Sequence, residues 1–286
     1  MKNQHLKHIV ELNIAVLLIS TSGVLGKFIS MPPPITIWWR CLFAAILLGG
    51  FCWYKKFNLR ISSFSDWKTI LISGLFFGAH WVTYFYALQL SNVAIGMLSL
   101  FTYPVITALL EPLFFKSKLN IKHVLLGFIV LIGIFFLAPE LTLENNYTKG
   151  VLFGLISSVF YALRNILLKK KITHYHGSVL MFYQMLIVIL VLWPVFFVFE
   201  MNPSSNDWSA LIILALVTTS IGHTLFVMSF KNFSISTASI MSGVQPIYGI
   251  LFGLLLLNEM PANRTLIGGG IILATVLIES FQSKKI

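Results

Sequence analysis

Ten apolar stretches fill nearly the whole chain, and short polar turns separate them. Each is close to the ~20 residues that a helix needs to cross ~30 Å of hydrocarbon. Of the 286 residues 57% are hydrophobic and only 10% are charged, whereas soluble domains carry about 25% charged residues. We therefore predict an all-α integral membrane protein with ten transmembrane helices at 9–29, 35–54, 67–88, 91–115, 121–139, 150–170, 177–199, 208–230, 234–257 and 264–282.

The last five stretches echo the first five at an offset of 142 residues. Pro104 then matches Pro246, and Gly127 matches Gly269. Because five is odd, the second set must enter the membrane in the opposite direction to the first. The pattern predicts two inverted five-helix repeats, the first over residues 1–143 and the second over 144–286, and this architecture is typical of secondary transporters.

The distribution of Lys and Arg predicts the orientation. One set of alternate loops and the two termini hold fifteen basic residues, while the opposite loops hold only Lys149 and Arg264. This bias places both termini in the cytoplasm, in a multi-pass protein of the cytoplasmic membrane. The net charge of +11 is spread over short loops, so no nucleic-acid partner is expected.

Cofactor and metal sites are not expected from the sequence. Cys41 and Cys52 lie in the same apolar stretch, which argues against a structural disulfide. No zinc-like Cys/His spacing and no phosphate-binding loop is present, so neither a bound metal nor direct ATP drive is indicated.

Each of the matched prolines stands near the middle of its span. Proline removes one amide hydrogen bond and pushes away the carbonyl four residues earlier, here Leu100 and Ser242. Carbonyls freed at that depth can face a polar cavity, and the alternative is a plain packing kink. Two prolines at matched positions favour a functional pair, so Pro104 and Pro246 are the candidate hinges.

The chain resembles the drug/metabolite transporter superfamily, specifically its EamA-type members with ten helices in two repeats. The resemblance is carried by ALQLSNVAIGMLSLFTYPVITALL in the first half, LLLLNEMPANRTLIGGGIILATVLI in the second, and Arg40 in WWRCLFAAILL. It implies export or uptake of amino acids, other small metabolites, nucleotide sugars or drugs. It also implies a central cavity formed by helices one, three, four, six, eight and nine. The family's glutamate after the fourth helix of a repeat is kept as Glu259, whereas the first half has FFKSKLN there.

Two arginines lie inside predicted spans. Arg40 is within the second span and Arg164 within the sixth, where Tyr161 lies near the same side of the helix. Such side chains can snorkel to the headgroups or pair with a carbonyl. Alternatively they line the cavity, where the arginine fork suits a carboxylate or phosphate group.

Two histidines near the membrane midplane are candidates for substrate binding and proton coupling. His80 lies beside Trp81 and one turn before Tyr84, and His223 lies at similar depth in the eighth span. Histidine titrates in the range useful for coupling; the alternative is a neutral imidazole bonded to a neighbouring helix. Glu111, one turn from the cytoplasmic end of the fourth span, is a third coupling candidate, with a salt bridge to a loop lysine as its alternative.

Three further side chains flank the paired prolines and complete the candidate site. They are Tyr103, Gln245 and Tyr248. The predicted substrate-binding residues are thus Arg40, His80, Trp81, Tyr84, Tyr103, Tyr161, Arg164, His223, Gln245 and Tyr248.

Three GxxxG patterns permit close helix contact. They are Gly74/Gly78, Gly150/Gly154 and Gly249/Gly253. We expect them to serve internal packing rather than dimerisation, and the sequence leaves open whether the protein is a monomer or a homodimer.

Three functions remain open at this point. The first is a secondary transporter for a small metabolite, such as an amino acid or another zwitterionic or anionic solute, working by alternating access in contact with membrane lipids. The second is an intramembrane enzyme, although no G-x-S-x-G, H-E-x-x-H or paired intramembrane aspartates is present. The third is a membrane scaffold that transports nothing. The inverted repeat favours the first, with proton coupling as an addition and without enzyme activity.

Overall fold

A computed structural model of the chain describes residues 2–115, 121–137, 142–233 and 235–283. Within these ranges the protein is all-helical, and five spans are simple helices. These are α1 (Lys2–Phe28), α2 (Pro33–Tyr54), α3 (Phe64–Leu90), α6 (Ile121–Leu137) and α7 (Asn146–Lys169). The seventh span is α8 (Gly177–Leu192) with a short 3₁₀ extension, and the tenth is α13 (Asn263–Ser283).

Three spans are discontinuous. The fourth consists of α4 (Val93–Leu100) and α5 (Tyr103–Phe115), and the ninth of α11 (Ile235–Met241), a 3₁₀ segment and α12 (Gln245–Leu257). The eighth consists of α9 (Ser205–Ile213), a π-helix (Leu214–His223) and α10 (Thr224–Ser229). Pro104 and Pro246 are each the second residue of a second helical segment, a position where the missing amide costs no helical hydrogen bond.

The predicted ten-span fold is confirmed. Among the described residues seven segments are long and apolar enough to cross a membrane, and Val124–Leu137 and Ser242–Leu257 are shorter apolar helices. Helix α13, with 21 residues, completes the set. A helix of that length is about as long as the hydrocarbon layer is thick.

The two halves run in opposite directions, as predicted. Lys169 at the end of α7 donates from Nζ to the carbonyls of Phe230 (2.5 Å) and Phe233 (2.8 Å), just after α10. Ser30, just after α1, donates instead to Asp207 at the start of the eighth span. Helices α1 and α7 are equivalent in the two repeats, and their ends lie at opposite ends of the eighth span. Equivalent ends therefore lie on opposite faces of the membrane.

All three GxxxG motifs pack against other spans of the same chain. Each glycine lies where an added Cβ would contact a neighbouring side chain. The contacts are Gly74 with Ile187, Gly78 with Val188, Gly150 with Ser91, Gly154 with Ser99, Gly249 with Met97 and Gly253 with Val93. The prediction of internal packing is confirmed.

Candidate substrate-binding site

A small cavity lies where the two halves meet in the middle of the bundle. Its volume is about 10 Å³, room for about one water molecule. It is lined by Ile19, Ser22, His80, Trp81, Tyr84, Leu100, Phe101, Tyr161, His223 and Gln245. These residues come from spans one, three, four, six, eight and nine, the six that the family resemblance implied. Six of the ten candidate residues are among them.

The inverted repeat is visible in the wall of the cavity. Two pairs of lining residues are equivalent at the 142-residue offset, Ile19 with Tyr161 and Trp81 with His223. In a third equivalent pair, Gln245 lines the cavity and Tyr103 packs against the lining residue Tyr161. Each half thus contributes corresponding positions with different side chains, so the cavity is pseudo-symmetric in shape but not in chemistry.

His80 is held by the opposite half of the protein. The hydroxyl of Ser157 on α7 donates to the carbonyl of His80 (2.8 Å) and lies 2.7 Å from its Nδ1. Because that hydroxyl proton is used, the histidine Nδ1 acts as the donor to Ser157 Oγ. The imidazole stacks on Tyr161 with ring centroids 4.4 Å apart.

His223 is less constrained. It ends the π-helix, and its ring lies edge-on to Phe77 (5.2 Å) and Trp81 (5.4 Å). Its Nδ1 is buried and has no hydrogen-bond partner among the described residues. A π-helix shifts side chains around the helix axis and is frequent at functional sites, and here it places a polar ring against the cavity.

Arg40 is fully buried against the wall of the cavity. Its guanidinium carbon lies 3.8 Å from the centroid of the Trp81 ring, a cation–π contact. Its Nε donates to the hydroxyl of Thr219 in the π-helix at 2.7 Å. The arginine therefore joins α2, α3 and the eighth span instead of snorkelling to the headgroups.

Arg164 is also fully buried. Its guanidinium carbon lies 3.9 Å from the Phe77 ring, and Nη1 and Nη2 donate to Asn165 (3.0 Å) and Gln184 (2.8 Å). The amide of Gln184 donates in turn to Ser73 Oγ at 2.9 Å. This chain of hydrogen bonds connects α7, α8 and α3.

The breaks in the fourth and ninth spans meet beside the cavity. Tyr103, which follows the first break, lies 2.5 Å from Ser242 Oγ at the second, and its ring packs edge-on against Tyr161 at 4.8 Å. Pro104 and Pro246 follow these breaks directly. The hydrogen bond between Tyr103 and Ser242 thus connects the two breaks that the candidate hinge prolines follow.

Besides Arg40, Tyr103 and Arg164, two more predicted residues lie outside the lining. Tyr248 is half-buried on α12, three residues beyond Gln245, and packs on the core. Glu111 lies on α5, eight residues beyond Tyr103 and towards its end. Their roles in substrate binding and coupling stay predictions.

Among the side chains of the site that sequence reasoning missed, three are polar or contact an arginine. The ring of Phe77 packs against the guanidinium of Arg164, the hydroxyl of Thr219 accepts from Arg40, and Ser22 lines the cavity. Phe77 stands one turn before Trp81, and Thr219 belongs to the run Thr218-Thr219-Ser220 in an otherwise apolar span. A polar run at membrane depth was the available signal.

Larger grooves on the periphery are apolar. One of about 500 Å³ lies between α2 and the eighth span, and two others of about 320 and 310 Å³ lie along α5–α6 and α3–α8. Exposed side chains such as Phe51 and Leu216 border the first, as expected of surfaces that face lipid. Among the described residues no group of three or more His, Cys, Asp or Glu side chains is arranged to hold a metal ion.

Comparison with known proteins identifies membrane transporters as relatives of this chain. The model of the EamA-like transporter family matches residues 9–138 and 148–281. An uncharacterized transporter of Archaeoglobus fulgidus is 29% identical over 232 residues, 81% of this chain and 83% of that protein.

Two other relatives are named by what they transport. The pseudopaline exporter CntI of Pseudomonas aeruginosa is 21% identical over 76% of this chain and 75% of its own length. An S-adenosylmethionine uptake transporter of Rickettsia conorii is 23% identical over 86% of this chain and 82% of its own length. One solved crystal structure superposes with a TM-score of 0.72 at 18% identity, over 97% of this chain and 99% of that one, which supports the fold alone.

Proposed function

The chain belongs to the EamA-like transporter family, and we propose that it is a secondary transporter, without enzyme activity, that moves a small metabolite by alternating access. The solute is an amino acid or another zwitterionic or anionic metabolite. The observation that carries this proposal is the central cavity, where both inverted halves present buried polar and aromatic side chains. A mid-membrane site between inverted repeats, formed by discontinuous helices, is the arrangement that secondary transporters use.

The ten candidate residues form the proposed binding site. The cavity holds only about one water molecule as it stands, so the halves must separate to admit a metabolite. Pro104 and Pro246 begin the second segments of the two broken spans and are the proposed hinges. The proposed repeats extend over residues 1–143 and 144–286.

Contacts between the halves close the bundle at both faces. On the face that carries the Lys- and Arg-rich loops, Asp66 bonds to Lys171 and to the hydroxyl of Tyr175 (2.6 Å). On the opposite face, Asp207 accepts from the backbone amide and the hydroxyl of Ser30, both at 3.0 Å. In the proposed cycle one set of contacts breaks while the other holds.

Proton coupling is an addition to this proposal. Of the two histidines, His223 has the unpartnered Nδ1, whereas the Nδ1 of His80 is already bonded to Ser157. His223 is therefore the stronger coupling candidate of the two, with Glu111 as the third. If solute uptake into sealed liposomes is unchanged by an imposed pH gradient, this addition is wrong.

The proposed location is the cytoplasmic membrane with both termini inside. The excess of Lys and Arg on one face supports it. Impermeant maleimide should label a cysteine placed at exposed Lys55 only in inside-out vesicles, and one placed at exposed Tyr147 only in right-side-out vesicles.

The transport proposal is tested on the purified full-length protein. A thermal-shift screen of amino acids, organic acids, nucleobases and sugar derivatives is followed by counterflow in liposomes with every stabilising solute. A substrate should raise the midpoint of thermal unfolding, because it binds the folded state only, and should exchange across the liposome membrane. A correctly folded protein that no solute stabilises and that exchanges none would contradict the proposal.

A further inference from the structure

The guanidinium of Arg40 has a free edge. Its Nε is bonded to Thr219, and its face lies on Trp81, but Nη1 and Nη2 are buried without a hydrogen-bond partner among the residues that the structure describes. Thr219 is fixed as well, since its hydroxyl donates to the carbonyl of Leu214, five residues earlier in the π-helix (3.0 Å). A guanidinium held in this way presents a fixed fork, the geometry that binds both oxygens of a carboxylate.

Arg164 differs in this respect. Both of its Nη atoms donate to neutral amide oxygens, and within the described ranges only its Nε has no hydrogen-bond partner. Its fork is therefore occupied by the protein itself. Arg164 provides a positive charge beside the cavity and connects three helices, whereas Arg40 is built to receive a ligand.

Three residues of the cavity wall carry further unsatisfied atoms. Ser22 Oγ, Tyr84 OH and His223 Nδ1 are buried and have no hydrogen-bond partner in the described part of the chain. The hydroxyl of Tyr84 lies close to α1, because a Cβ added to Gly23 would be 3.2 Å from it. Buried polar atoms are almost always paired in folded proteins, so a group of them around one cavity indicates a polar ligand.

The balance of charge indicates the sign of that ligand. Among the described residues the cavity lining contains no Asp or Glu, while two guanidiniums lie against Trp81 and Phe77 at 3.8 and 3.9 Å. A buried charge without a counterion is costly. A net anion compensates this charge, a zwitterion does so only in part, and a cation adds to the cost.

We infer that the substrate is a small organic carboxylate of net negative charge, such as a hydroxy acid, a keto acid or a dicarboxylate. Its carboxylate binds the free fork of Arg40, and Ser22, Tyr84 and His223 bond to its other polar groups. Arg40 does not line the cavity itself but packs against Trp81, which does. The inference therefore rests on the proposed function, because a solute reaches the fork when the two halves separate during transport.

Matched solutes test the charge of the substrate. Three sets share a carbon skeleton and differ in charge: lactate, lactamide and alanine; succinate, succinamide, asparagine and 1,4-diaminobutane; 3-phenyllactate, its amide and phenylalanine. Each is measured by thermal shift and by counterflow with the wild-type protein. In every skeleton that exchanges, we expect the anion to exchange about tenfold faster or more than the others, because a site built to bind a polar group rejects analogues that lack it.

Variants test the role of Arg40. Arg40→Gln should reduce the ratio of anion to amide exchange towards one. Arg40→Lys should keep a preference for the anion at a higher half-saturating concentration, since lysine retains the charge but lacks the fork. Arg60→Gln is the matched control, because it removes the same charge from an exposed loop position and should behave as the wild type.

The variants remain informative if Arg40→Gln does not fold. Thr219→Val keeps the guanidinium but removes the hydroxyl that accepts from Nε and donates to the Leu214 carbonyl; it should raise the half-saturating concentration and keep the anion preference. Arg164→Gln removes a guanidinium whose fork is already occupied by the protein. It should lower the midpoint of thermal unfolding, and it should change the ratio of anion to amide exchange less than Arg40→Gln does.

The outcomes separate the two proposals. Faster exchange of the amide, zwitterion or cation in each skeleton that exchanges, or an unchanged anion preference in Arg40→Gln, overturns the inference and leaves the transporter intact. No stabilisation and no exchange by any of these solutes, or by those of the wider screen, counts against the proposed function itself.

Discussion

The two faces of the bundle are closed by equivalent acids with different partners. Asp66 and Asp207 lie 141 residues apart, and so do Ser30 and Lys171. On the basic face the acid bonds to the ammonium of Lys171. On the opposite face the equivalent acid bonds to the neutral amide and hydroxyl of Ser30. One contact thus rests on charge and the other on short-range hydrogen bonds.

Each acid lies in the first turn of a helix that a serine caps. Ser63 accepts from the amide of Asp66, and Ser204 accepts from the amide of Asp207, each at 3.1 Å. Asp207 additionally accepts from the amide and the hydroxyl of Ser204, at 2.8 Å each, which completes a capping box. Because Asp207 is buried and makes more bonds, the opposite face should be the more firmly closed.

The difference can be measured by the access of a reagent to the cavity from each face. Ile19 lines the cavity and is the reporter when replaced by cysteine. The natural thiols of Cys41 and Cys52 are removed by serine substitutions. Labelling by an impermeant maleimide in vesicles of either orientation then reports the opening of each face separately.

The largest effect is expected from Asp207→Ala. The substitution removes every acceptor for the two Ser30 donors and the two Ser204 donors. The two bonds to Ser30 join the halves, and at about 1 kcal/mol each their loss amounts to roughly a 30-fold change in an equilibrium. Labelling from the opposite face should therefore accelerate about 30-fold, and labelling from the basic face should not.

Asp207→Asn is the control, because it keeps one carbonyl oxygen as an acceptor and should have a smaller effect. Equal acceleration from both faces in Asp207→Ala would mean that the substitution loosens the whole bundle and that the contact does not control one face.

The second prediction concerns the ion pair of the basic face. Asp66→Lys and Lys171→Asp should each accelerate labelling from that face, since each places like charges together. The double variant Asp66→Lys/Lys171→Asp should recover most of the wild-type rate. An effect of about threefold to fivefold is expected for a partly exposed pair. Single variants whose effects simply add in the double variant would show that the two side chains do not interact.

Much of the fold followed from the sequence for physical reasons. Hydrocarbon thickness fixes the length of each span, and an odd number of spans per repeat forces the inversion. The breaks beside Pro104 and Pro246 were predictable because proline cannot donate an amide hydrogen bond. The S-x-x-D motif at 63–66 and 204–207 was a further signal of the repeat, but its offset is 141 and differs by one from that of the prolines.

The site was less predictable than the fold. The depth of a residue in the membrane follows from its position along a span, but the side chains that it contacts on other spans do not. From the sequence alone, Arg40 and Arg164 could each line the cavity or snorkel to the headgroups, and only tertiary contacts distinguish a free fork from an occupied one. The π-helix at Leu214–His223 contains no proline, so the sequence carries no comparable signal of it. It changes which residues of the eighth span face the cavity, so Thr219 could not be placed from a regular helical period.

The third prediction concerns a variant in which the contact of the opposite face becomes an ion pair, like the contact of the basic face. Ser30→Lys introduces a cation at the position equivalent to Lys171, next to the carboxylate of Asp207. Ser30 is exposed, so the added ion pair should slow labelling from the opposite face only about twofold. Ser30→Gln, of similar size without charge, is the control, and an equal rate in both variants would exclude an electrostatic effect.

The smallest effect is expected from salt. Raising the ionic strength from about 0.05 to 0.5 M shortens the screening length to a few ångströms, which weakens the contact of Asp66 with Lys171 but not that of Asp207 with Ser30. Labelling from the basic face should accelerate less than twofold, and labelling from the opposite face should stay constant. The Ser30→Lys variant should acquire the same salt dependence at the opposite face. If it does not, charge is not what distinguishes the two faces, and the tighter capping of Asp207 alone accounts for the difference.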